Sequence, residues 1–277
     1  MDGDAEAVMA ALATLSPRRF SELALSLASE LRLHRQRLLL LLLYPPRFAH
    51  ALAHVRALSL SQKAVLVARL VLRSLARLAH AWGDPDDAVS AGGGLRELDA
   101  GLLLLFMCEA YDPDSPNPWA TDADWRAGVA ARVLEEVLSP AGLGACGWAA
   151  VVCRHVDLVA RCRRLLAAVP DCDGGAAAAS AAGGKVGREA AASAAAVVAL
   201  PSVQRPGGEC VVCREEMRAG RDVCGLPCGH VFHWGCILPW LRKKNTCPYC
   251  RFDLPTDDVF CEVDRLWRAV VGKAKGG

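Results

Sequence analysis

The sequence is poor in aromatic side chains, which make up 6% of its residues. Its apolar content is mostly Ala and Leu instead, which favours helix over sheet. It also lacks a charge imbalance: the formal net charge is +2, so whole-chain charge argues for no particular partner. No run of about twenty apolar residues is present, as a membrane-spanning helix requires. The nearest candidate is Leu38 to Leu43, six leucines preceded by Arg32, His34, Arg35 and Arg37 and stopped by Tyr44-Pro45-Pro46. Any membrane contact is therefore expected to be peripheral, with no transmembrane segment. The start, Met1-Asp2-Gly3-Asp4-Ala5-Glu6, is acidic and has no basic n-region, so no cleaved leader is expected. No repeat period appears, which excludes a solenoid.

What is present is apolar enough for a sizeable core: 53% of 277 residues, room for one large domain or two ordinary ones. Residues 1–169 read as a helical domain. Ser16-Pro17 supplies an N-cap followed by proline at the first helical position. Phe20, Leu23, Ala24, Leu27 and Leu31 then form one apolar face, and Pro45-Pro46 ends the helix. Phe48, Leu52 and Val55 point inward from a short segment. Ser61 is a candidate cap for the next helix, which runs to about Trp82. Leu95 to about Tyr111 reads as a central helix, because Leu102 to Met107 is apolar all round. Residues 112–118 form a loop. Thr121 is the candidate cap of a helix with Trp125, Val129, Val133 and Val137 on one face. A last helix covers Trp148 to Ala168.

Residues 170–208, rich in Ala, Gly and Ser, read as a flexible linker. Residues 255–271 read as an amphipathic helix, with Phe260, Val263, Leu266, Trp267 and Val270 on one stripe.

Charge is distributed in blocks. Residues 45–82 carry Arg47, Arg56, Lys63, Arg69, Arg73 and Arg77 and no acid, whereas residues 83–137 are strongly acidic. Arg69, Arg73 and Arg77 make one stripe on a helix. It reads first as a solvated face or one paired with acids of the same fold. Docking to a membrane surface or an acidic partner is the other reading.

The chain has thirteen cysteines. Six of them, with two histidines, follow C-x2-C-x14-C-x-H-x2-H-x2-C-x10-C-x2-C between Cys210 and Cys250. The other cysteines form no disulfide framework, so a reducing compartment fits best. Thiolates and imidazole are zinc ligands, and eight of them suffice for two closed tetrahedral sites with no open position for a water. The sites are therefore structural. A module this small needs such staples, and zinc supplies on the order of 10 kcal/mol of folding energy. Spacing alone leaves sequential and interleaved pairing open. A zinc-dependent nucleic-acid binder is disfavoured, because the module is only weakly basic and shows no recognition-helix pattern.

The ligand order Cys-Cys-Cys-His-His-Cys-Cys-Cys resembles the RING-H2 family of ubiquitin ligases. That resemblance implies a small α+β zinc domain over residues 209–254. It also implies interleaved sites for two Zn2+: Cys210, Cys213, His233 and Cys236 on one, and Cys228, His230, Cys247 and Cys250 on the other. The runs Cys236-Ile237-Leu238-Pro239-Trp240-Leu241 and Cys247-Pro248-Tyr249-Cys250 match the family. The resemblance implies that Val212, Trp240 and Pro248 dock a ubiquitin-conjugating enzyme (E2), favoured over plain packing around zinc. It implies that Arg251, after the last ligand, bridges the E2 and its linked ubiquitin. It further implies an E3 ubiquitin transferase with no covalent intermediate on this chain, since neither Cys224 nor Cys261 has a neighbouring catalytic His or acid. The alternative is a non-catalytic RING adaptor. The runs Asn245 to Phe260, Met9 to Pro17 and Leu95 to Glu109 are also similar to plant RING ligases that pair a helical N-terminal part with a C-terminal RING. That likeness implies action on the cytosolic face of the amyloplast, otherwise in the cytosol. The implied process is gravitropism through actin-linked plastid movement, with plastid-surface or actin-associated partners. The protein substrate is not legible.

Overall fold

The computed structural model describes residues 3–82, 95–110, 126–131, 133–134, 147–168, 190–204, 207–218 and 222–273. Two compact units result: Met1–Ala177 with Leu266–Gly277, and Ala178–Arg265. The first is helical, and the second holds the cysteine-rich segment.

The helices of the first unit are α1 (Gly3–Ala13), α2 (Pro17–Leu43), α3 (Pro45–Ala57), α4 (Leu60–His80), α5 (Leu95–Ala110) and α6 (Gly147–Ala168). Ser16 caps α2 by accepting from the Arg19 N–H, with Pro17 at the first position. The two prolines after Tyr44 open α3, and α2 and α3 meet at a bend of 104°. The α4 cap is Ser59, not Ser61. Ser59 Oγ accepts from the Gln62 N–H at 3.2 Å, and Gln62 Oε1 accepts from the Ser59 N–H at 2.9 Å. That reciprocal box satisfies two otherwise orphaned donors, which a cap at Ser61 would leave open. Helix α1, ahead of Ser16, was not foreseen. Its inward face is Ala5, Val8, Ala11 and Leu12, too small in side-chain size to stand out as a stripe.

The core gathers Leu38, Leu41 and Leu42 of α2, Phe48, Ala51 and Val55 of α3, and Ala100, Leu103 and Phe106 of α5. Val129 and Val133 join it, as expected of their face. The expected partners Trp125 and Val137, the Thr121 cap, loop 112–118 and residues 170–189 of the linker lie outside the described residues. Helix α5 is central, with Leu102, Leu103 and Phe106 buried. Gly101 lets it approach α4, since a Cβ there would stand 3.1 Å from Leu70 Cδ1.

The basic stripe of α4 is engaged inside this unit. Arg69 Nη1 lies 3.2 Å from Glu97 Oε2, and Arg77 Nη1 contacts Glu30 Oε2. Arg37 likewise meets Asp99 at 2.6 Å. Glu30 is a buried acid: desolvation raises its pKa, while Arg77 and Arg73 pull it down. His34 and His155 lie in the same field. Burial, aided by Arg77, depresses both to about 4. His155 is 3% exposed, and neither ring nitrogen has a hydrogen-bond partner among the described residues.

The second unit contains α7 (Ala194–Val198), β1 (Val223–Gly225), β2 (Val231–His233) and α8 (Trp234–Leu241). Residues 190–204 correct the expected extent of the linker. Ser193 caps α7, Leu200 is buried, and main-chain bonds tie Ala192 to Leu241, Ser193 to Pro255 and Val203 to Val223. Ala-rich composition hid this segment, because its anchors are backbone groups and a few apolar side chains. Helix α9 (Val259–Gly272) begins in the second unit and ends in the first. The Asp258 carboxylate opens it by accepting from the Cys261 N–H at 2.8 Å. Val263, Leu266, Trp267 and Val270 are buried, and the Arg163 guanidinium lies 5.1 Å from the Trp267 ring centre.

The buried charges set a pH response. Folding keeps His34 and His155 neutral, so their contribution is present above pH 6.5 and lost as pH falls toward about 4. Glu30 acts in the opposite sense, since acid relieves the desolvation of its carboxylate. With two histidines against one acid, the helical unit is expected to lose melting temperature across that window, measured by circular dichroism. His155→Leu should flatten the profile while leaving stability at neutral pH equal or higher. Arg77→Ala should destabilise by about 2 kcal/mol, because it strands the Glu30 carboxylate.

Candidate metal centre

Two chain segments with the same local geometry build this site. In each, two cysteines separated by two residues form a knuckle. The Arg214 N–H donates to Cys210 O and the Arg251 N–H donates to Cys247 O, at 2.6 and 2.9 Å. The chain then turns back, with the Cys210 N–H on Glu215 O and the Cys247 N–H on Phe252 O. Short bridges close both loops, Glu209 with Glu216 and Thr246 with Asp253. The turn requires the left-handed region. Arg214 and Arg251 occupy it at φ 62° and 59°, where glycine would be unstrained.

The antiparallel pair β1–β2 positions the remaining donors. Val223 pairs with His233 and Gly225 with Val231, and the connecting loop carries Cys228 and His230. Gly229, between them, adopts φ 82°. Strand β2 runs straight into α8, so His233 and Cys236 fall within one turn of each other. Phe232, Ile237, Leu241 and Leu254 are fully buried beneath this frame.

The donor atoms fall into two sets. Cys210, Cys213, His233 and Cys236 form one, and Cys228, His230, Cys247 and Cys250 the other, with the atoms of each set within 4.8 Å of one another. The arrangement is interleaved: the first and third pairs meet, and the second and fourth. Cys213 Sγ lies 3.3 Å from His233 Nδ1, and Cys228 Sγ 3.4 Å from His230 Nδ1. A tetrahedral zinc ion with ordinary bond lengths separates such atoms by about 3.6 Å. Three thiols and one imidazole per set is also zinc chemistry rather than calcium or magnesium chemistry. Each set could hold one ion. Around Cys210, backbone N–H groups of Cys213, His233 and Val212 favour the thiolate against desolvation, whereas desolvation and neighbouring thiols disfavour it at Cys228 and Cys236.

The remaining candidate residues sit around these knuckles. Val212, inside the first, is 47% exposed. Trp240, on α8, is half-buried, and its Nε1–H donates to Thr246 O at 2.7 Å, beside the second knuckle. Pro248 is half-buried and Arg251 exposed. The sequence reading missed three exposed apolar residues on the knuckles: Val211, Tyr249 and Phe252. The signal was their position next to the ligands, where a buried role had no room. Tyr249 leans on His230, ring centres 4.4 Å apart. The basic residues Arg69, Arg73 and Arg77 belong to the helical unit and not to this site.

The ring finger domain family matches residues 208–251. Over nearly its whole length the chain is similar to "E3 ubiquitin-protein ligase SGR9, amyloplastic" of Arabidopsis thaliana, with 40% identity over 98% of this chain and 96% of that protein. The chain belongs to the RING-type E3 ubiquitin ligases. Two further relatives match only around the RING. "E3 ubiquitin-protein ligase RING1-like" of Arabidopsis thaliana is 58% identical over 18% of this chain and 15% of that protein. "E3 ubiquitin-protein ligase RNF181" of Danio rerio is 48% identical over 23% of this chain and 40% of that protein. No solved structure matches.

The enzyme is thus a ubiquitin transferase whose RING domain carries two zinc ions. Two described cysteines outside the two sets, Cys224 and Cys261, are poorly placed as nucleophiles. Cys224 is fully buried and its thiol is pushed up to about 11 by desolvation. Cys261 is also buried. Neither is placed to carry ubiquitin covalently, as expected of a RING-type transferase.

Zinc removal provides the test of the frame. A chelator is expected to unfold the RING unit and abolish ubiquitin transfer, while most helical circular dichroism persists. Added zinc should restore both. Cys247→Ser should reproduce the loss at ordinary zinc concentrations, with one zinc ion or none retained by elemental analysis.

Proposed function

We propose that Cys210, Cys213, His233 and Cys236 hold one zinc ion and Cys228, His230, Cys247 and Cys250 the other. On that frame, Val212, Trp240 and Pro248 dock the E2, and Arg251 bridges the E2 to its linked ubiquitin. The observation that carries this reading is the state of Trp240. Its indole N–H is committed to Thr246 O, so the ring is fixed, yet the side chain is only half-buried. A pinned, partly exposed tryptophan beside a half-exposed valine knuckle suits a small apolar docking surface. Arg251 supports the bridging role by its place: it is exposed and directly follows the last ligand, Cys250. Its planar fork can donate to carbonyls of two partners at once. The bridge acts on the bound ubiquitin by limiting its orientations, so that a substrate lysine attacks from a productive direction.

The proposed site of action is supported by the relative whose name is amyloplastic. The ligase acts at the cytosolic face of amyloplasts, in gravitropism and actin-linked plastid movement. The unidentified substrate is selected by the helical unit, residues 1–169, because the RING frame is occupied with E2 and ubiquitin.

Reconstituted transfer with E1, a panel of E2 enzymes, ubiquitin and ATP is the test. Val212→Ser and Trp240→Ala should each lower chain formation at least about tenfold with both zinc ions retained. Arg251→Gly separates function from folding. It should stabilise the RING unit by about 1 kcal/mol, since glycine relieves the left-handed backbone. It should nonetheless lower transfer. Transfer that rises or is unchanged would remove Arg251 from the mechanism.

A further inference from the structure

The solvent face of α2 is unusual for a helix in a packed unit. Leu25, Leu33, Leu40 and Leu43 are each more than half exposed, and so is Tyr44 at the bend into α3. At 100° per residue these leucines fall within a sector of about 80°, so they form one apolar stripe. Arg32 is exposed on the same helix and Arg47 at the start of α3. No acid occurs between Glu30 and Asp84. Among the described residues, the ion pairs of this region engage Arg37, Arg69 and Arg77 rather than Arg32 or Arg47.

We propose that this stripe and the α2–α3 elbow are a peripheral docking surface for an anionic lipid bilayer. Charge selects the occupant. A second copy of the chain would bring the arginines flanking Leu33 to Tyr44 against their own counterparts, which repels; the acid on the same sector, Glu22, lies at the far end of the stripe and is paired with Arg18 at 3.0 Å. A helical peptide is normally received in a groove, whereas these leucines stand on the outside of a single helix and its bend. Protruding leucines, a tyrosine at the rim and flanking arginines fit the boundary between headgroups and acyl chains. Among the described residues no single helix is long and apolar enough to cross a membrane, and the 104° bend gives α2 and α3 an elbow rather than one straight rod. The stripe thus lies on the bilayer. It differs from the α4 stripe, whose arginines Arg69 and Arg77 pair with Glu97 and Glu30. This surface gives the amyloplast reading a physical means, but it does not depend on that organelle.

The zinc-loaded full chain is sedimented with vesicles of phosphatidylcholine alone and of phosphatidylcholine with phosphatidylglycerol in equal parts. Binding is expected to the mixed vesicles and to fall with salt. The pair Arg32→Glu and Arg47→Glu should weaken it at least about tenfold. Leu40→Ser with Leu43→Ser and Tyr44→Ser should do the same with helicity and ubiquitin transfer unchanged, because these side chains are exposed. No binding to mixed vesicles, or binding that both variants retain, overturns the proposal. So does a self-association of the wild-type chain that the variants lose without any lipid binding, which would assign the face to a second copy. Because the vesicles are synthetic, failure here leaves the organelle reading to be judged by fractionation.

Discussion

Everything in the RING unit depends on bringing eight soft donors to two points. The unit has few secondary-structure elements and a core of modest size, so its chain path is dictated by the ligands. Each knuckle must fold back on itself to aim two thiols at one point, which forces a residue into the left-handed region. The β hairpin must deliver Cys228 and His230 at one end and His233 at the other. Because the pairs interleave, neither ion belongs to a local loop, and each ties together segments distant in sequence. That cross-linking is what makes a short, loop-rich stretch rigid enough to hold a partner enzyme in one orientation.

Rigidity also explains why so little conventional catalytic chemistry is present. A transferase that acts by orientation needs fixed apolar contacts and a forked donor, not a general base. The remaining buried thiol near the frame, Cys224, is held protonated by its surroundings. What the protein contributes is a surface whose elements cannot drift. Trp240 is fixed through its N–H to a carbonyl next to the second knuckle, and Arg251 is fixed because its backbone closes that knuckle. The same constraint that completes the metal site therefore fixes the residues proposed to touch the partner.

Legibility from sequence followed the strength of the local physics. The zinc donors were legible because ligand chemistry restricts residue type and spacing together. Their interleaving was not, since a spacing pattern does not say which pairs meet in space. Ser16-Pro17 could be read as a helix start, for a cap and a proline act locally. Ser59 was missed in favour of Ser61 because the deciding partner is Gln62, and a box needs both members considered. Helix α1 and residues 190–204 escaped notice because their packing relies on alanines and main-chain bonds, which leave little periodic trace. His155 was silent for a related reason. Burial of a polar ring among helices is a property of the assembled bundle, not of its neighbours in sequence.

Charge illustrates the limit most clearly. The stretch from Arg32 to Arg77 is uniformly basic in sequence, and nothing local separates one arginine from another. In the fold they divide by helix face. Arg37, Arg69 and Arg77 reach across to Asp99, Glu97 and Glu30, so their charge is neutralised inside the unit. Arg32 is exposed on α2 beside the exposed leucines, and Arg47 is exposed at the start of α3. A basic block is thus two populations with different physical fates. Internal pairing sets the register of α2, α4 and α5, and it is weakly screened where it is half-buried. The outer arginines retain a field in solvent, which falls off within a Debye length and matters only to a partner that comes close. The apolar stripe beside them determines what kind of partner gains by coming close.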